Sequence, residues 1–374
     1  MIQIFEEDDN SGVIVENQFM GKNVAILFPM TREKEVNLFR WEKLISTVNL
    51  SKVTALVLID KTPFHQATDY FAQREKEILA NLIIFQRPRN EPTHDSQSLI
   101  KLENGLWIIQ IHDDDDWEGY LEIPPGTNEN SIVRTDFSLV SSGKKTKVTD
   151  LNWPDCRSIF SLLPSIVWNR FANLISDQGG HVAGSIDSSL NIAVSLIEPK
   201  HKITEFKYFY DNRHWDSRKL SKQHLIRLTK EDGWGDFATI EMSLVSRAID
   251  GIASLIFFSD LYSDKDFRAQ IKKWVSATKP HVLRTYLKKF EIILFVFGKN
   301  FLKVGAPRKL ANLQRSYSNS ILYRRILVRA WEAEKIEDYC EIIEVLLGLQ
   351  SLPLLQSRFY FWQRELKRKC SLEF

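Results

Sequence analysis

LWIIQIHDDDD, residues 106–116, is the part of the chain that says most about its architecture. Residues 106–111 are almost continuously apolar, which is typical of a strand buried on both faces of a sheet. Four consecutive aspartates, residues 113–116, follow at once. Carboxylates in a row repel one another, so an ordered chain tolerates them only in water or around a cation. A buried strand that ends in such a cluster indicates a ligand site at the carboxyl edge of an open α/β sheet.

Upstream of this stretch, apolar runs alternate with segments of helical length and spacing. The alternation predicts βαβ units and a mainly parallel sheet. Right-handed crossovers bring successive strand ends to one side, so the turn after Pro29, Asp60 and the aspartates are expected at one edge. The predicted strands are 23–29, 53–59 and 82–85, and the predicted helices are 36–48, 66–79 and 95–103.

The pattern changes after Gly126. A strand is expected at 131–141, and the shorter mixed segments that follow are typical of an antiparallel extension. From about residue 237 the apolar spacing becomes helical and glycine is rare. We therefore expect an α/β domain over 1–235, with a mostly parallel central sheet flanked by helices, and an α-helical domain over 236–374. Its predicted helices include 242–258, 267–277 and 320–347.

Composition and charge exclude several classes of protein. The net charge of the 374 residues is +2, so no global field attracts nucleic acid. The three cysteines are scattered, without metal-site or disulfide spacing, which is typical of a reducing cytoplasm. No signal peptide is visible, and the longest apolar runs fall far short of the roughly 20 residues that span a bilayer. The absence of GxGxxG, GxxxxGK[ST], GxSxG and HExxH motifs argues against dehydrogenases, NTPases, esterases and metalloproteases.

Near the C-terminus, residues 358–369 mix aromatic with basic side chains. One interpretation is a basic amphipathic helix that makes peripheral contact with the inner face of an anionic membrane. The other is a docked terminal helix with a solvated basic face. The helical part of the chain is also long enough to dimerise, so a homo-oligomer is a further interpretation.

Three strand ends together carry a family resemblance. The first strand ends in Pro29-Met30-Thr31-Arg32-Glu33, the second in Asp60 and the fourth in the aspartate cluster. In this order the chain resembles nucleotide-sugar glycosyltransferases with the GT-A fold, of the inverting, family-two-like kind that assembles bacterial polysaccharides. The resemblance covers roughly residues 20–235. It implies a metal-dependent, inverting transfer of a sugar from a nucleoside diphosphate sugar, in particular a UDP-sugar, to a glycan hydroxyl.

The resemblance also implies which residues bind the donor. Pro29, Thr31 and Arg32 would contact the nucleoside, and Arg32 would also reach phosphate or ribose. Asp60 would accept a hydrogen bond from the base. The alternative for Asp60 is a cap for the helix that follows it, and the alternative for Arg32 is an ordinary surface arginine.

The same resemblance implies a Mn²⁺ or Mg²⁺ site, for which hard oxygen ligands are suited. Asp113 would lie near the ribose and the cation, and Asp115 and Asp116 would be metal ligands. Asp114 stays a donor-side candidate because the register of the motif can shift by one. The alternative is a solvated acidic loop.

Later in the chain, Arg213 and His214 are implied partners of the leaving diphosphate. His214 would be the third metal ligand, and Arg213 would neutralise the leaving group. The alternative for His214 is a structural, hydrogen-bonded histidine.

An inverting transfer also needs a general base for the acceptor hydroxyl, usually a carboxylate. Asp187 lies among small residues that would let a sugar approach, and it is the first candidate. Its alternative is a turn-forming aspartate bonded to Ser189. Glu231 and Asp232, an acidic pair just before Trp234, are the second candidates.

Two other functions stay open from the sequence. A nucleotidyl- or phosphotransferase would use the same aspartates with Mg²⁺ and release pyrophosphate from a nucleoside triphosphate. A non-catalytic scaffold would bind partners through its helical half and would not need the aspartates.

Overall fold

The structure is a computed structural model that describes residues 1–89, 91, 93–141, 144–147, 161–176, 200–211 and 269. Contacts divide the chain into two compact units, one of Met1–Leu151 with Cys156–Ser217 and one of Asn152–Asp155 with Arg218–Phe374. Every helix and strand given below belongs to the first unit. The predicted boundary at 235/236 and the helices predicted after residue 236 lie outside the described residues.

A parallel sheet forms the centre of this unit. Its strands run in the order β1-β5-β4-β3-β7, and all four neighbouring pairs are parallel. Every residue of β3 and of β4 is buried, because the sheet is covered on both faces. The strands are β1 (Ile2–Phe5), β3 (Val24–Met30), β4 (Val53–Asp60), β5 (Asn81–Gln86) and β7 (Trp107–Gln110).

Helices connect and cover these strands. The longest, α1 (Lys34–Leu50), buries Trp41, Leu44, Ile45 and Val48, an i, i+3, i+4, i+7 stripe that faces the sheet. The ring of Trp41 lies 5.2 Å from that of Tyr70, which places the next helix beside α1. The other helices are α2 (Gln66–Gln73), α3 (Thr93–Ser98) and α4 (Ser165–Ser176), with 3₁₀ turns at Pro63–His65 and Glu75–Glu77.

A mixed, mainly antiparallel extension continues the sheet beyond β7. β11 pairs antiparallel with β7 and β9, and β12 pairs parallel with β9 and antiparallel with β8. β12 thereby reaches the strand that begins at the last of the four aspartates. The added strands are β8 (Asp116–Gly119), β9 (Ile132–Ser141), β10 (Lys144–Lys147), β11 (Ser161–Pro164) and β12 (Lys200–Asp211).

The predicted fold class, an α/β arrangement with a mostly parallel central sheet and flanking helices, is confirmed. The four strands predicted up to residue 111 are all present, as is the strand predicted at 131–141. The helix predicted at 95–103 is partly wrong. The chain is helical over Thr93–Ser98 and then forms β6 (Ile100–Leu102), because Ile100 and Leu102 pair with β2 (Val13–Val15) and are buried there.

Two further differences concern segments whose structure depends on tertiary contacts. The helix predicted at 66–79 ends at Gln73 and is followed by the 3₁₀ turn Glu75–Glu77. The acidic N-terminus contributes β1 at the edge of the sheet, which no local pattern indicated. Among the described helices, none combines the length and the apolar character that a bilayer crossing requires.

Candidate functional site

The ends of three parallel strands meet at one edge of the sheet, as the crossover rule predicts. Met30, the last residue of β3, stands opposite Asp60, the last residue of β4. On the other side of β3, Leu27 stands opposite Gln110, the last residue of β7. The turn after β3, Asp60 and the aspartate cluster therefore share the carboxyl edge, where open α/β sheets bind ligands.

Asp113 fastens the turn after β7 to the turn after β3. Its Oδ2 accepts hydrogen bonds from the backbone nitrogens of Thr31 at 2.7 Å and Arg32 at 3.1 Å. The Thr31 hydroxyl adds a third at 3.1 Å, and Asn37 of α1 donates to the carbonyl oxygen of Asp113 at 3.0 Å. Only 6% of Asp113 is exposed. Its carboxylate thus holds two strand ends together, and the contact with a ribose that the sequence implies stays a prediction.

Asp115 is the most deeply buried of the four aspartates, at 1% exposure. The hydroxyl of Tyr208, on β12, donates to its Oδ2 at 2.7 Å. Arg40 of α1 donates from Nε to the carbonyl oxygen of Asp115 at 2.8 Å. Burial, followed by the negative charge of Asp115 and the hydrogen bond to it, raises the pKa of Tyr208 well above its ordinary value. The hydroxyl of Tyr208 therefore keeps its proton and remains a donor to Asp115.

A group of three side chains at this turn has the geometry to hold a cation. His112, Asp114 and Asp115 each offer one ligand atom, and these atoms all lie within 4.8 Å of one another. His112 and Asp114 are about one-third exposed, so the group opens to solvent on one side. Arg32 approaches it, with Nη2 3.6 Å from Oδ2 of Asp114. One imidazole nitrogen and two carboxylate oxygens form a donor set that fits a divalent metal ion.

The side chain of Gln110 contacts the ring of His112 and is itself held by Gln97. Nε2 of His112 lies 2.7 Å from the amide nitrogen of Gln110, whose oxygen accepts a hydrogen bond from Gln97 at 2.9 Å. The other ring nitrogen, Nδ1, faces Oδ2 of Asp115 at 3.9 Å. The contact with Gln110 restricts rotation of the His112 ring beside Asp115.

Sequence reasoning missed both His112 and Tyr208. A strand that continued through residue 112 would place His112 on the face opposite Asp113. β7 instead ends at Gln110, and the turn brings His112 to Asp115. Tyr208 lies 93 residues from Asp115 along the chain, and no local motif marks it.

Asp116 is turned away from this group. Its Oδ1 lies 2.5 Å from Nζ of Lys43, on α1, and also accepts a hydrogen bond from the backbone nitrogen of Trp117 at 2.9 Å. The structure therefore brings Asp114 and Asp115 together with His112 and directs Asp116 toward α1. A metal-ligand role for Asp116 stays a prediction.

Asp60 is fully buried, and both of its carboxylate oxygens accept hydrogen bonds from residues of the loop and helix that follow. Oδ1 accepts from the backbone nitrogen and hydroxyl of Thr62 at 2.9 and 2.6 Å. Oδ2 accepts from the backbone nitrogen and hydroxyl of Thr68, both at 2.7 Å. These contacts correspond to the helix-capping alternative, since Thr68 lies in the first turn of α2. The contact with a nucleotide base stays a prediction.

The loop between Asp60 and α2 contains two residues in the left-handed region. Phe64 has φ 54° and His65 has φ 51°, although neither is a glycine. Phe64 is 94% exposed, while Nε2 of His65 lies 3.0 Å from Oε1 of Glu7. Such backbone costs free energy and persists only where surrounding contacts hold it, here the four hydrogen bonds to Asp60.

The remaining predicted site residues are divided between β3 and the undescribed part of the chain. Pro29 lies in β3, opposite Ile59. The other five lie outside the described residues, and their roles stay predictions: Asp187, Arg213, His214, Glu231 and Asp232.

No protein-family model and no curated protein matches this sequence. Among solved structures, the chain is similar to TarS of S. aureus, residues 1–349, at 9% identity and a TM-score of 0.40, covering 93% of this chain and 89% of that one. It is also similar to the same protein in complex with UDP, at 10% identity and a TM-score of 0.39, over 93% and 89% of the two chains. For the complex with UDP-GlcNAc the values are 10% and 0.40, over 87% and 92%. These values describe a distant likeness of fold.

Proposed function

We propose that this protein is a metal-dependent glycosyltransferase. It moves a sugar from a nucleoside diphosphate sugar, in particular a UDP-sugar, to a hydroxyl of a glycan acceptor, with inversion at the anomeric carbon. One observation supports this most: Asp113 and Asp115 are buried at the carboxyl edge of a parallel sheet, beside the partly open His112 and Asp114. Nucleotides bind at this edge of open α/β sheets, and a diphosphate needs positive charge there.

The geometry of the cluster is the second argument, and it favours a bound cation. His112, Asp114 and Asp115 converge on one small space, where a cation would offset the repulsion between the two carboxylates. These three residues would hold the ion. Carboxylates suit Mg²⁺ and Mn²⁺, whereas imidazole is typical of transition metals, so the mixed set favours Mn²⁺. When bound, the ion supplies positive charge that stabilises the departing diphosphate.

Among the described residues, Arg32 is the proposed partner of the donor phosphates. About a third of its side chain is exposed, and its guanidinium lies beside Asp114 rather than in a tight bidentate pair. An arginine fork binds phosphate oxygens more strongly than it binds a carboxylate 3.6 Å away. Arg213 is the second residue assigned to the leaving group.

The transfer requires one proton to leave the acceptor. The acceptor oxygen forms a bond to the anomeric carbon while the bond from that carbon to the diphosphate oxygen breaks. The hydroxyl proton passes to a carboxylate on the acceptor side. Asp187 is the proposed base, with Glu231 and Asp232 as the other candidates.

The partners and location follow as proposals from the same reaction. The acceptor is a growing glycan, and nucleic acid is not a partner. The reaction takes place in the cytoplasm, where nucleotide sugars are the donors, and residues 358–369 bring the protein to the inner face of the membrane.

Isothermal titration of the full chain with UDP-sugars, with and without Mn²⁺, tests this function. UDP-GlcNAc, UDP-glucose and UDP-galactose are suitable first probes. We expect nucleotide-sugar binding to depend on Mn²⁺ and to be lost in Asp115→Asn. Glu122→Gln is the control, because it makes the same carboxylate-to-amide change at an exposed position, and it should retain binding. The proposal fails if no nucleotide sugar binds under either condition. Release of pyrophosphate from a nucleoside triphosphate would instead favour a nucleotidyltransferase.

A further inference from the structure

Tyr208 connects the antiparallel extension to the cation cluster. Its hydroxyl donates to Oδ2 of Asp115 at 2.7 Å and accepts a hydrogen bond from the backbone nitrogen of His112 at 3.1 Å. One hydroxyl therefore contacts two of the three members of the cluster. The residue is fully buried, so water does not compete for either hydrogen bond.

We propose that Tyr208 is a positioning residue that sets the affinity of the His112–Asp114–Asp115 cluster for its divalent cation. The inference rests on the proposed function, because it concerns the same cluster. It adds a residue that approaches the turn from another part of the sheet and does not itself bind the ion.

The position of Tyr208 is fixed by hydrogen-bonded strands on both sides. In the ladder of β12 with β8 it stands opposite Trp117, and in the ladder of β12 with β9 it stands opposite Phe137. The backbone that carries the Tyr208 side chain is therefore held on both sides. Tyr208 thus supplies a rigid donor to a turn that has no regular secondary structure from Ile111 to Asp115.

Both hydrogen bonds act on the geometry of the cluster. The bond to Oδ2 restricts rotation of the Asp115 carboxylate, and the bond from the nitrogen of His112 fixes the backbone from which the imidazole projects. Metal ligands held by such partners need less reordering when the ion binds, and removing a partner typically weakens binding 10–100-fold.

The pairing of β12 with β8 also makes the cluster depend on the extension. Phe209 of β12 stands opposite Asp116, the residue directly after the cluster. The turn is therefore held from one side by β3 and α1, through Asp113 and Asn37, and from the other by β12. Formation of the cation cluster requires both parts of the sheet to be assembled.

A titration with Mn²⁺ alone tests the inference without any donor or acceptor. Free Mn²⁺ is followed by electron paramagnetic resonance in the full chain, for the wild type, Tyr208→Phe and Tyr70→Phe. Tyr70 is the matched control, because it is also buried but its hydroxyl has no hydrogen-bond partner among the described residues. We expect Mn²⁺ to bind Tyr208→Phe about 10–100-fold more weakly than the wild type. Tyr70→Phe should bind as the wild type does.

Equal Mn²⁺ affinity of Tyr208→Phe and the wild type would overturn the inference and leave the proposed metal site intact. Absence of Mn²⁺ binding by the wild type would instead overturn the metal site, and the inference with it. Thermal melting of each variant establishes that it is folded.

A second measurement does not depend on a folded Tyr208 variant. The wild type, with its ten tyrosines replaced by 3-fluorotyrosine, is followed by ¹⁹F NMR during Mn²⁺ addition. Substoichiometric Mn²⁺ should selectively broaden a tyrosine resonance, because a paramagnetic ion in the cluster relaxes the nearest ring most strongly. If Mn²⁺ binds and no tyrosine resonance broadens, the ion lies elsewhere, and the proposed metal site is wrong together with the inference.

Discussion

The carboxylate of Asp113 lies 2.7 Å from the backbone nitrogen of Thr31, a residue 82 positions earlier in the chain. The same oxygen also accepts the backbone N–H of Arg32. Two strand ends that are remote in sequence are thereby held together beside the cation cluster. The buried carboxylate of Asp113 therefore has a structural role.

Replacement of Asp113 by alanine tests this structural role. Asp113→Ala leaves two backbone N–H groups without their acceptor, and we expect it to lower the free energy of unfolding by about 3 kcal/mol. Urea denaturation measures the change. Asp114→Ala is the matched control, since Asp114 is a third exposed and its pair with Arg32 is loose, and we expect a loss below about 1 kcal/mol. Equal losses in the two variants would contradict the role.

His112 should determine which metal ion the cluster prefers. His112→Gln exchanges an imidazole nitrogen for an amide, so we expect the preference for Mn²⁺ over Mg²⁺ to fall by about tenfold. Competition of Mg²⁺ against Mn²⁺ in a paramagnetic resonance titration measures this ratio. Asp114→Asn should weaken both ions together, because carboxylate oxygen suits both. An unchanged ratio in His112→Gln would show that the imidazole is not a ligand.

The left-handed backbone at Phe64 predicts an unusual gain in stability. Phe64 has φ 54° and ψ 25° and an exposed side chain, so Phe64→Gly removes strain while losing little packing. We expect the free energy of unfolding to rise by about 1 kcal/mol. The control is Phe39→Gly, an exposed phenylalanine inside α1, which should lower it by about 1 kcal/mol. Thermal and urea unfolding measure both changes. A change of the same sign in the free energy of unfolding of the two variants would contradict the prediction.

Gly119, at the end of β8, lies against β12 with no room for a side chain. Its φ is +93°, and a Cβ atom there would lie 1.7 Å from the carbonyl oxygen of Glu205. Gly119→Ala should therefore lower the free energy of unfolding by about 3 kcal/mol or more, since β12 must move away. Gly126→Ala, at φ +77° with open space around the new atom, should cost only about 1 kcal/mol. Circular dichroism melts compare the two losses of stability. Gly126→Ala introduces backbone strain alone, whereas Gly119→Ala adds a steric clash with Glu205.

The central strands and the edge that they share were readable from the sequence. Apolar runs such as the one in β3 indicate strands because burial on both faces requires apolar side chains at every position. The handedness of crossover connections then places strand ends together without further information. The short strand β6 was not readable, because its partner β2 lies 87 residues earlier and three residues are too few to show a period of their own.

Within the aspartate cluster, the sequence determined that carboxylates would gather at the sheet edge, and the tertiary structure decided what each one does. Asp113 holds the turn after β3, Asp116 pairs with Lys43, and Asp115 joins Asp114 and His112. Four identical side chains in a row differ only in their neighbours. Those neighbours come from α1, β3 and a tyrosine on β12, and chain folding alone brings them to the turn.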